Sequence, residues 1–284
     1  MSEHDAWAEI DTTVPHSARV WNFLLGGSDN FDVDREAGRT LLRLFPDFAA
    51  VARTQRAFLI RAVRHLVLEA GVRQFLDVGS GLPTADNTHE VAQALAPGSR
   101  VVYVDHDPIV LAHARTLLAG ATKDATKDAT EDAAEGATDY VHADVRDTGL
   151  ILEQAARTLD LSQPVALMML SVAGQLTDDD APEDVVARLL EPLAPGSHLV
   201  LSDGVNTNPA LVEAVAAYNG NAANTYQLRA PERIAGFFAG LEPVEPGVVP
   251  TPAWRPDAGA GEPPEAAGVV SAVCGVARKP APAA

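Results

Sequence analysis

From residue 71 onward, short apolar runs alternate with amphipathic stretches, and this alternation is the strongest constraint on the fold. The apolar runs read in order "RQFLDV", "RVVYVD", "DYVHAD", "PVALMML" and "SHLVLSD". Segments with helical periodicity lie between them, for example residues 87–95 and 183–193. Strands that alternate with helices form a parallel sheet with helices on both faces. We therefore predict an α/β fold built on a mostly parallel sheet.

Two late apolar runs, residues 241–249 and 268–279, follow without a helix between them. A Pro/Gly-rich loop joins them, which predicts a hairpin and one antiparallel strand near the C-terminus. Residues 121–138 are different, because they repeat Ala-Thr-Lys-Asp and contain no apolar side chain larger than Ala. Such a segment cannot bury a face, so we interpret it as a low-complexity surface insertion, with a docking tail as the alternative.

The N-terminal part differs from the alternating part and contains "WNFLLGGSDNFDVD" at residues 21–34. A strongly helical segment follows at residues 52–70, and Gly71 ends it. We predict a helical lid or cap over residues 1–70 and a sheet domain over residues 71–284. Four arginines of the predicted helix are interpreted as its solvated face: Arg53, Arg56, Arg61 and Arg64.

The charge of the chain limits its partners, since the formal net charge is −18 at pH 7. A chain this acidic repels phosphate backbones, which argues against nucleic acid as a partner. The one cysteine, Cys274, excludes an intrachain disulfide and lies in an apolar run typical of a buried strand. The sequence contains no secretory signal and no apolar run long enough for a bilayer, so we expect a cytoplasmic protein without a membrane partner.

Three successive predicted strands end in an aspartate: Asp77, Asp105 and Asp144. The carboxyl ends of parallel strands meet at one edge of the sheet, where α/β folds bind their ligands. An acid at the end of the second strand is placed to accept both hydroxyls of a ribose. Asp144 is placed to accept from an adenine amino group. The sequence therefore predicts a nucleoside site at this edge.

The first strand runs into a glycine turn, Gly79-Ser80-Gly81, that lets the backbone approach a ligand closely. A dinucleotide fingerprint would have a third glycine where Thr84 stands, and Pro83 precedes it. The carboxylate of Asp77 also disfavours a pyrophosphate. A sulfonium cofactor with an α-ammonium group fits better, and a nicotinamide-dependent oxidoreductase is the weaker alternative.

The motifs "FLDVGSGLPT", "VVYVDHDP" and "HADVRD" resemble, in this order, the cofactor motifs of class I S-adenosylmethionine-dependent methyltransferases. The upstream "SARVWNFLLGGSDNFDVDREAG" and the continuation "GLPTADNTHEVAQ" narrow the resemblance. Together they are similar to an actinobacterial S-adenosyl methyltransferase family of unassigned substrate, over residues 14–279 except the repeat. The resemblance implies a Rossmann-like, seven-stranded sheet and S-adenosyl-L-methionine as the cofactor.

The resemblance also implies which residues contact the cofactor. At the methionine part they are Asp77, Gly79 and Gly81, with Ser80 in the same turn. Asp105 and His106 would contact the ribose, Asp144 and Val145 would lie around the adenine, and Ser171 would lie on the inner side. The upstream segment would fold over the site and contribute Asn22, Gly26 and Gly27.

The sequence departs from the family pattern at two positions. Ser28 stands where a lysine is expected, and Gly174 stands where a histidine is expected. The leading hypothesis is a methyltransferase for a small molecule, acting in specialised metabolism. The departures motivate an alternative from another class, a non-methylating descendant that serves as a cofactor-binding protein or a cyclase.

The sequence identifies no catalytic residue, because methyl transfer needs a general base only for a poorly ionised acceptor. His16 and Tyr218 are weak candidates for such a base. Trp254 and Tyr218 either line a substrate pocket or pack the terminal hairpin. Without an HExxH or CxxC motif we expect no metal site. A homodimer is kept as a candidate assembly.

Overall fold

The computed structural model describes residues 11–110, 112–113, 136–257 and 271–282. Most of the repeat at 121–138 therefore lies outside the described residues. The helix predicted after the second strand falls partly outside them too, with residues 108–110 and 112–113 helical as expected.

A mixed sheet forms the centre of the molecule. Its strands are β1 Gln74–Val78, β2 Arg100–Asp105, β3 Thr138–His142, β4 Ala166–Leu170, β5 His198–Gly204, β6 Glu242–Pro243, β7 Val249–Pro250 and β8 Ala272–Arg278. The order is β3-β2-β1-β4-β5-β8-β6, and β7 also pairs with β8. Strands β1 to β5 are parallel, whereas β8 is antiparallel to β5, β6 and β7. The predicted mostly parallel sheet with one antiparallel strand is confirmed.

Over the part of the chain that the structure describes, the sheet has eight strands, so the expected count of seven is wrong by one. The segment predicted as a single strand at residues 241–249 forms β6 and β7 instead. A turn at Glu245-Pro246-Gly247 separates them, and Gly247 has a φ of 82°. Proline offers no N–H to a ladder, so the two short strands pair separately with the same edge of β8.

Helices cover both faces of the sheet. Their bounds are α1 Ser17–Leu24, α2 Asp32–Leu44, α3 Phe48–Leu68, α4 Thr88–Leu95, α5 Thr148–Ala155, α6 Pro182–Leu190, α7 Pro209–Asn219 and α8 Pro231–Gly236. Short 3₁₀ turns lie at Ala173–Gln175, Asp178–Asp180 and Thr251–Ala253.

The two faces of the sheet have separate cores. On one face, Phe58 and Leu66 of α3 pack with Phe75 of β1 in a fully buried cluster. On the other, Ile151 and Leu189 from α5 and α6 belong to the larger core. Helix α3, which the sequence groups with the cap, thus forms part of the sheet domain's own core.

The remaining N-terminal helices, α1 and α2, lie near the end of the sheet where β8 begins. Val20 and Leu41 share a buried cluster with Leu211 of α7 and Ala272 of β8. This packing holds α1 over the carboxyl ends of the parallel strands. Among the described residues, no helix combines the length and the hydropathy needed to cross a bilayer.

Candidate functional site

A cavity of about 390 Å³ lies between the carboxyl ends of the parallel strands and α1. Its volume falls within the range of roughly 300–1,000 Å³ that is typical of small-molecule sites. Ten of the residues predicted to contact a cofactor border it: Asn22, Asp77, Gly79, Ser80, Gly81, Asp105, His106, Asp144, Val145 and Ser171.

The glycine turn after β1 needs both of its glycines for geometric reasons. Gly79 and Gly81 have φ values of 72° and 66°, in the left-handed region that glycine favours. A Cβ on Gly79 would also lie 2.5 Å from the side chain of Val172. The resulting turn aims the Gly81 N–H at Asp105, whose Oδ2 accepts it at 2.8 Å.

The carboxylate of Asp105 is held in place at the mouth of the turn. Besides the Gly81 N–H, it accepts the Asp107 N–H at 3.0 Å. A carboxylate has about four lone-pair sites, so two remain for ligand hydroxyls. Asp105 is thus oriented before any ligand arrives.

Asp77 is buried beneath the same turn and accepts a hydrogen bond of 2.7 Å from the Thr88 hydroxyl. Burial raises its pKa to about 6, the Thr88 hydrogen bond and the Arg56 charge oppose the rise, and Asp105 adds to it. The side chain is therefore a carboxylate at neutral pH that takes up a proton unusually readily.

The raised pKa of Asp77 predicts a pH effect on stability. The folded-state value of about 6 exceeds the value of about 3.9 for an unfolded chain. The folded state therefore binds this proton first, and the contribution of Asp77 to stability grows as the pH falls from about 6 to about 4. The quantity to compare is the free energy of unfolding of the wild type minus that of Asp77→Asn. We expect this difference to be about 1 kcal/mol larger at pH 5 than at pH 7. Urea melts of both proteins measure this, and an unchanged difference contradicts it.

Asp144 lies at the cavity edge but is already engaged. Both of its oxygens accept from Nη1 of Arg146, at 3.0 and 3.1 Å. Arg146 also donates a hydrogen bond from Nε to Asp180 Oδ1, and this charged hydrogen bond is the main reason why the pKa of Asp180 is lowered. The acidic run at 178–180 therefore pairs with arginines and precedes the helix that starts at Pro182.

Two of the predicted contacts, Gly26 and Gly27, are exposed and do not border the cavity. The turn that contains them is organised by Asn22, whose Oδ1 accepts from the Asp29 N–H and from the Asn30 amide. A Cβ on Gly27 would approach Asn22 to 2.4 Å. These glycines therefore shape the turn around Asn22.

Helix α1, the roof helix, covers the cavity with Trp21 and Leu24. Its start is anchored by His16. The ring Nδ1 of His16 lies 2.8 Å from Asp107 Oδ2, and its backbone N–H donates to Asp34 Oδ1 at 2.9 Å. Since His16 does not line the cavity, these contacts favour an anchoring role for it over a catalytic one.

Arg56, which the sequence pattern places on a solvated helix face, borders the cavity, so the pattern does not identify it as a site residue. Its Nη2 donates to the Ala85 carbonyl at 2.8 Å and to Asn87 Oδ1 at 3.0 Å. Its buried Nε has no partner among the described residues. Arg61 is likewise engaged, donating to backbone carbonyls near Trp254, whereas Arg53 and Arg64 are exposed as expected.

A second missed residue is Tyr226, which also borders the cavity. Its hydroxyl donates to Asp203 and accepts from the Gly204 N–H at 3.2 Å. A Cβ on Gly174 would lie 2.5 Å from the Tyr226 ring, so the glycine leaves the space that the ring occupies. No periodic pattern around residue 226 signals this role.

The family model described as S-adenosyl methyltransferase matches residues 3–280. A DUF574 family protein from Streptomyces avermitilis MA-4680 is 41% identical, with a TM-score of 0.82 over 95% of this chain and 99% of that one. A candidate methyltransferase from Thermobifida fusca YX is 40% identical, with a TM-score of 0.83 over 95% and 97%. No curated protein matches the chain.

Proposed function

This chain belongs to the S-adenosyl methyltransferase family, and on that premise we propose that it transfers a methyl group from S-adenosylmethionine to a small-molecule acceptor. One observation carries the proposal: the acids that end β1, β2 and β3 border a single cavity together with the glycine turn and the roof helix.

The residues of the cavity fit the cofactor group by group. The carboxylates of Asp77 and Asp105 suit an ammonium group and ribose hydroxyls, since an ionised carboxylate only accepts hydrogen bonds. Arg56 borders the cavity and interacts electrostatically with Asp77, and its unpartnered Nε–H suits the amino-acid carboxylate. Val145 supplies an apolar contact for the adenine near Asp144.

When bound, S-adenosylmethionine supplies an electrophilic methyl group on a sulfonium sulfur. The protein then needs to hold an acceptor atom about 3 Å from that methyl and to exclude water. The roof helix supports both tasks, because its apolar side chains close the cavity above the strand ends.

Binding of the cofactor gives the first test. At a concentration about 100-fold above its Kd, S-adenosylmethionine should raise the melting temperature by about 5 °C. We expect Asp105→Ala to remove this shift, because the variant loses the acceptor for the ribose hydroxyls. Asp184→Ala is the matched control, since Asp184 is exposed on α6 and outside the cavity.

Absence of a shift in the wild type at millimolar cofactor would sink the proposal. Transfer of labelled methyl to a product separates it from the non-methylating alternative. The departures that motivated that alternative do not weaken the site: Ser28 is exposed outside the cavity, and Gly174 makes room for Tyr226.

A further inference from the structure

The cavity has two chemically distinct halves. Its charged lining residues lie at the ends of β1 to β3 or, in the case of Arg56, next to Asp77. A second set of lining residues, the acceptor wall, is apolar and packs in one cluster, which includes Trp21, Leu24, Leu41, Phe48, Leu211 and Val215. A wall without charge favours an uncharged molecule with an apolar body.

Polar groups interrupt the acceptor wall where it meets the strand ends. Tyr226 borders the cavity there, together with Ser171, which follows β4. The Tyr226 proton is donated to Asp203, and one lone pair of the phenol oxygen accepts the Gly204 N–H. One lone pair therefore remains to accept a hydrogen bond from a ligand. The hydroxyl of Tyr218 also faces this region and has no partner among the described residues.

Asp203 is built to hold this arrangement. It is fully buried, and its Oδ1 accepts the backbone N–H of Gly204 at 3.0 Å. Its Oδ2 has no hydrogen-bond partner among the described residues and lies 4.0 Å from Arg229 Nη1. Burial raises the pKa of Asp203 to about 6, against the hydrogen bond from Tyr226. A carboxylate of this kind accepts a proton more readily than an exposed one.

We propose that the Tyr226–Asp203 pair accepts the proton when a hydroxyl group on an uncharged, largely apolar small molecule is methylated, an inference that rests on the proposed function.

The step balances in atoms and charge. The acceptor oxygen forms a bond to the methyl carbon as the carbon–sulfur bond breaks, and that electron pair goes to sulfur. The acceptor's proton passes to the Tyr226 oxygen while the Tyr226 proton passes to the Asp203 carboxylate. A sulfonium and a carboxylate are consumed, and a thioether and a carboxylic acid remain.

A hydroxyl is favoured over an amine for a physical reason. A neutral amine already presents its lone pair, whereas a weakly acidic hydroxyl gains most from a base in the transition state. In addition, the acceptor wall offers no carboxylate that could pair with an ammonium group.

Equilibrium binding tests the pair without turnover. With S-adenosylhomocysteine present, we expect the wild type to bind 2-naphthol about tenfold more tightly than naphthalene, followed by naphthol fluorescence and competition. Tyr226→Phe should abolish this preference. Tyr140→Phe should keep it, because Tyr140 stacks on Tyr103 outside the cavity. Equal binding of the two probes by the wild type overturns the inference.

Kinetics with methyl-labelled cofactor test the proton transfer. Tyr226→Phe should lower kcat for 2-naphthol by about 100-fold or more, yet by less than about tenfold for 4-nitrophenol, which ionises near neutral pH. Asp203→Asn should also remove the acid limb of the pH profile near pH 6. Equal losses on both probes, or no loss, overturn the inference.

The two levels of proposal fail differently. If S-adenosylmethionine gives no thermal shift, the proposed function itself fails. Only the hydroxyl inference fails if the cofactor binds but the label reaches nitrogen, sulfur or carbon acceptors. It fails likewise if Tyr226→Phe transfers methyl to 2-naphthol at the wild-type rate.

Discussion

Arg229→Met should destabilise the protein by about 3–5 kcal/mol, because it removes one partner from a buried charged network. Arg229 is 2% exposed and donates to the carbonyls of Ala173 and Leu176 at 2.9 and 2.5 Å. Its guanidinium also lies 4.0 Å from the buried carboxylate of Asp203. Methionine keeps much of the length but leaves two carbonyls without a donor and the buried carboxylate without a nearby positive charge. Urea unfolding at pH 7 measures the loss.

Arg233→Met is the matched control for this variant. Arg233 lies four residues further along and pairs with Asp178 and Glu183 at 2.7 and 3.0 Å, but its side chain is 38% exposed. Exposed pairs of this kind contribute less than about 1 kcal/mol. Equal losses from the two variants would show that burial does not set the energy of the Arg229 contacts.

Trp254→Ala should cost about 3–5 kcal/mol, as do other truncations of large buried aromatic side chains. Trp254 is fully buried, and its ring packs edge-to-face with the rings of Phe58 and His65. The centroid-to-centroid distances are 5.4 and 5.8 Å. The structure thus favours the packing interpretation of Trp254 over the pocket interpretation. Urea unfolding measures the stability, and the Kd for S-adenosylmethionine should stay unchanged because Trp254 does not border the cavity.

Trp254→Phe separates ring packing from the polar edge of the indole. The indole N–H has no partner among the described residues, so its removal costs no hydrogen bond. The smaller ring should therefore cost only about 1–2 kcal/mol. A loss as large as that of the alanine variant would mean that Trp254 makes a specific polar contact.

The sequence predicts well what depends on local period and strand ends. The alternation fixes β1 to β5, and Asp77, Asp105 and Asp144 meet at one cavity because parallel strands share an edge. The family assignment drawn from the same motifs is confirmed. The cofactor contacts of individual residues remain predictions, as do the domain boundary at residue 70, the homodimer and the cytoplasmic location.

Contacts between distant segments could not be predicted in the same way. Tyr226 meets Asp203 and Gly174 only after β4, β5 and a loop without periodicity have been placed, so no local pattern marks it. Arg56 borders the cavity because α3 packs on one face of the sheet, and its helical spacing alone does not distinguish it from the exposed Arg53. Splitting of residues 241–249 into two strands depends likewise on the register against β8.

The position of β8 has a consequence for the order in which the molecule is completed during synthesis. Residues 272–278 lie between β5 and the edge strand β6, so the ribosome synthesises this inner strand after both of its neighbours. Ser271 and Ala272, at its start, also form part of the cavity. A nascent chain that stops short of β8 therefore lacks the strand that pairs with β5 and β6, and it also lacks part of the cavity lining. Ligand binding thus depends on β8 being in place.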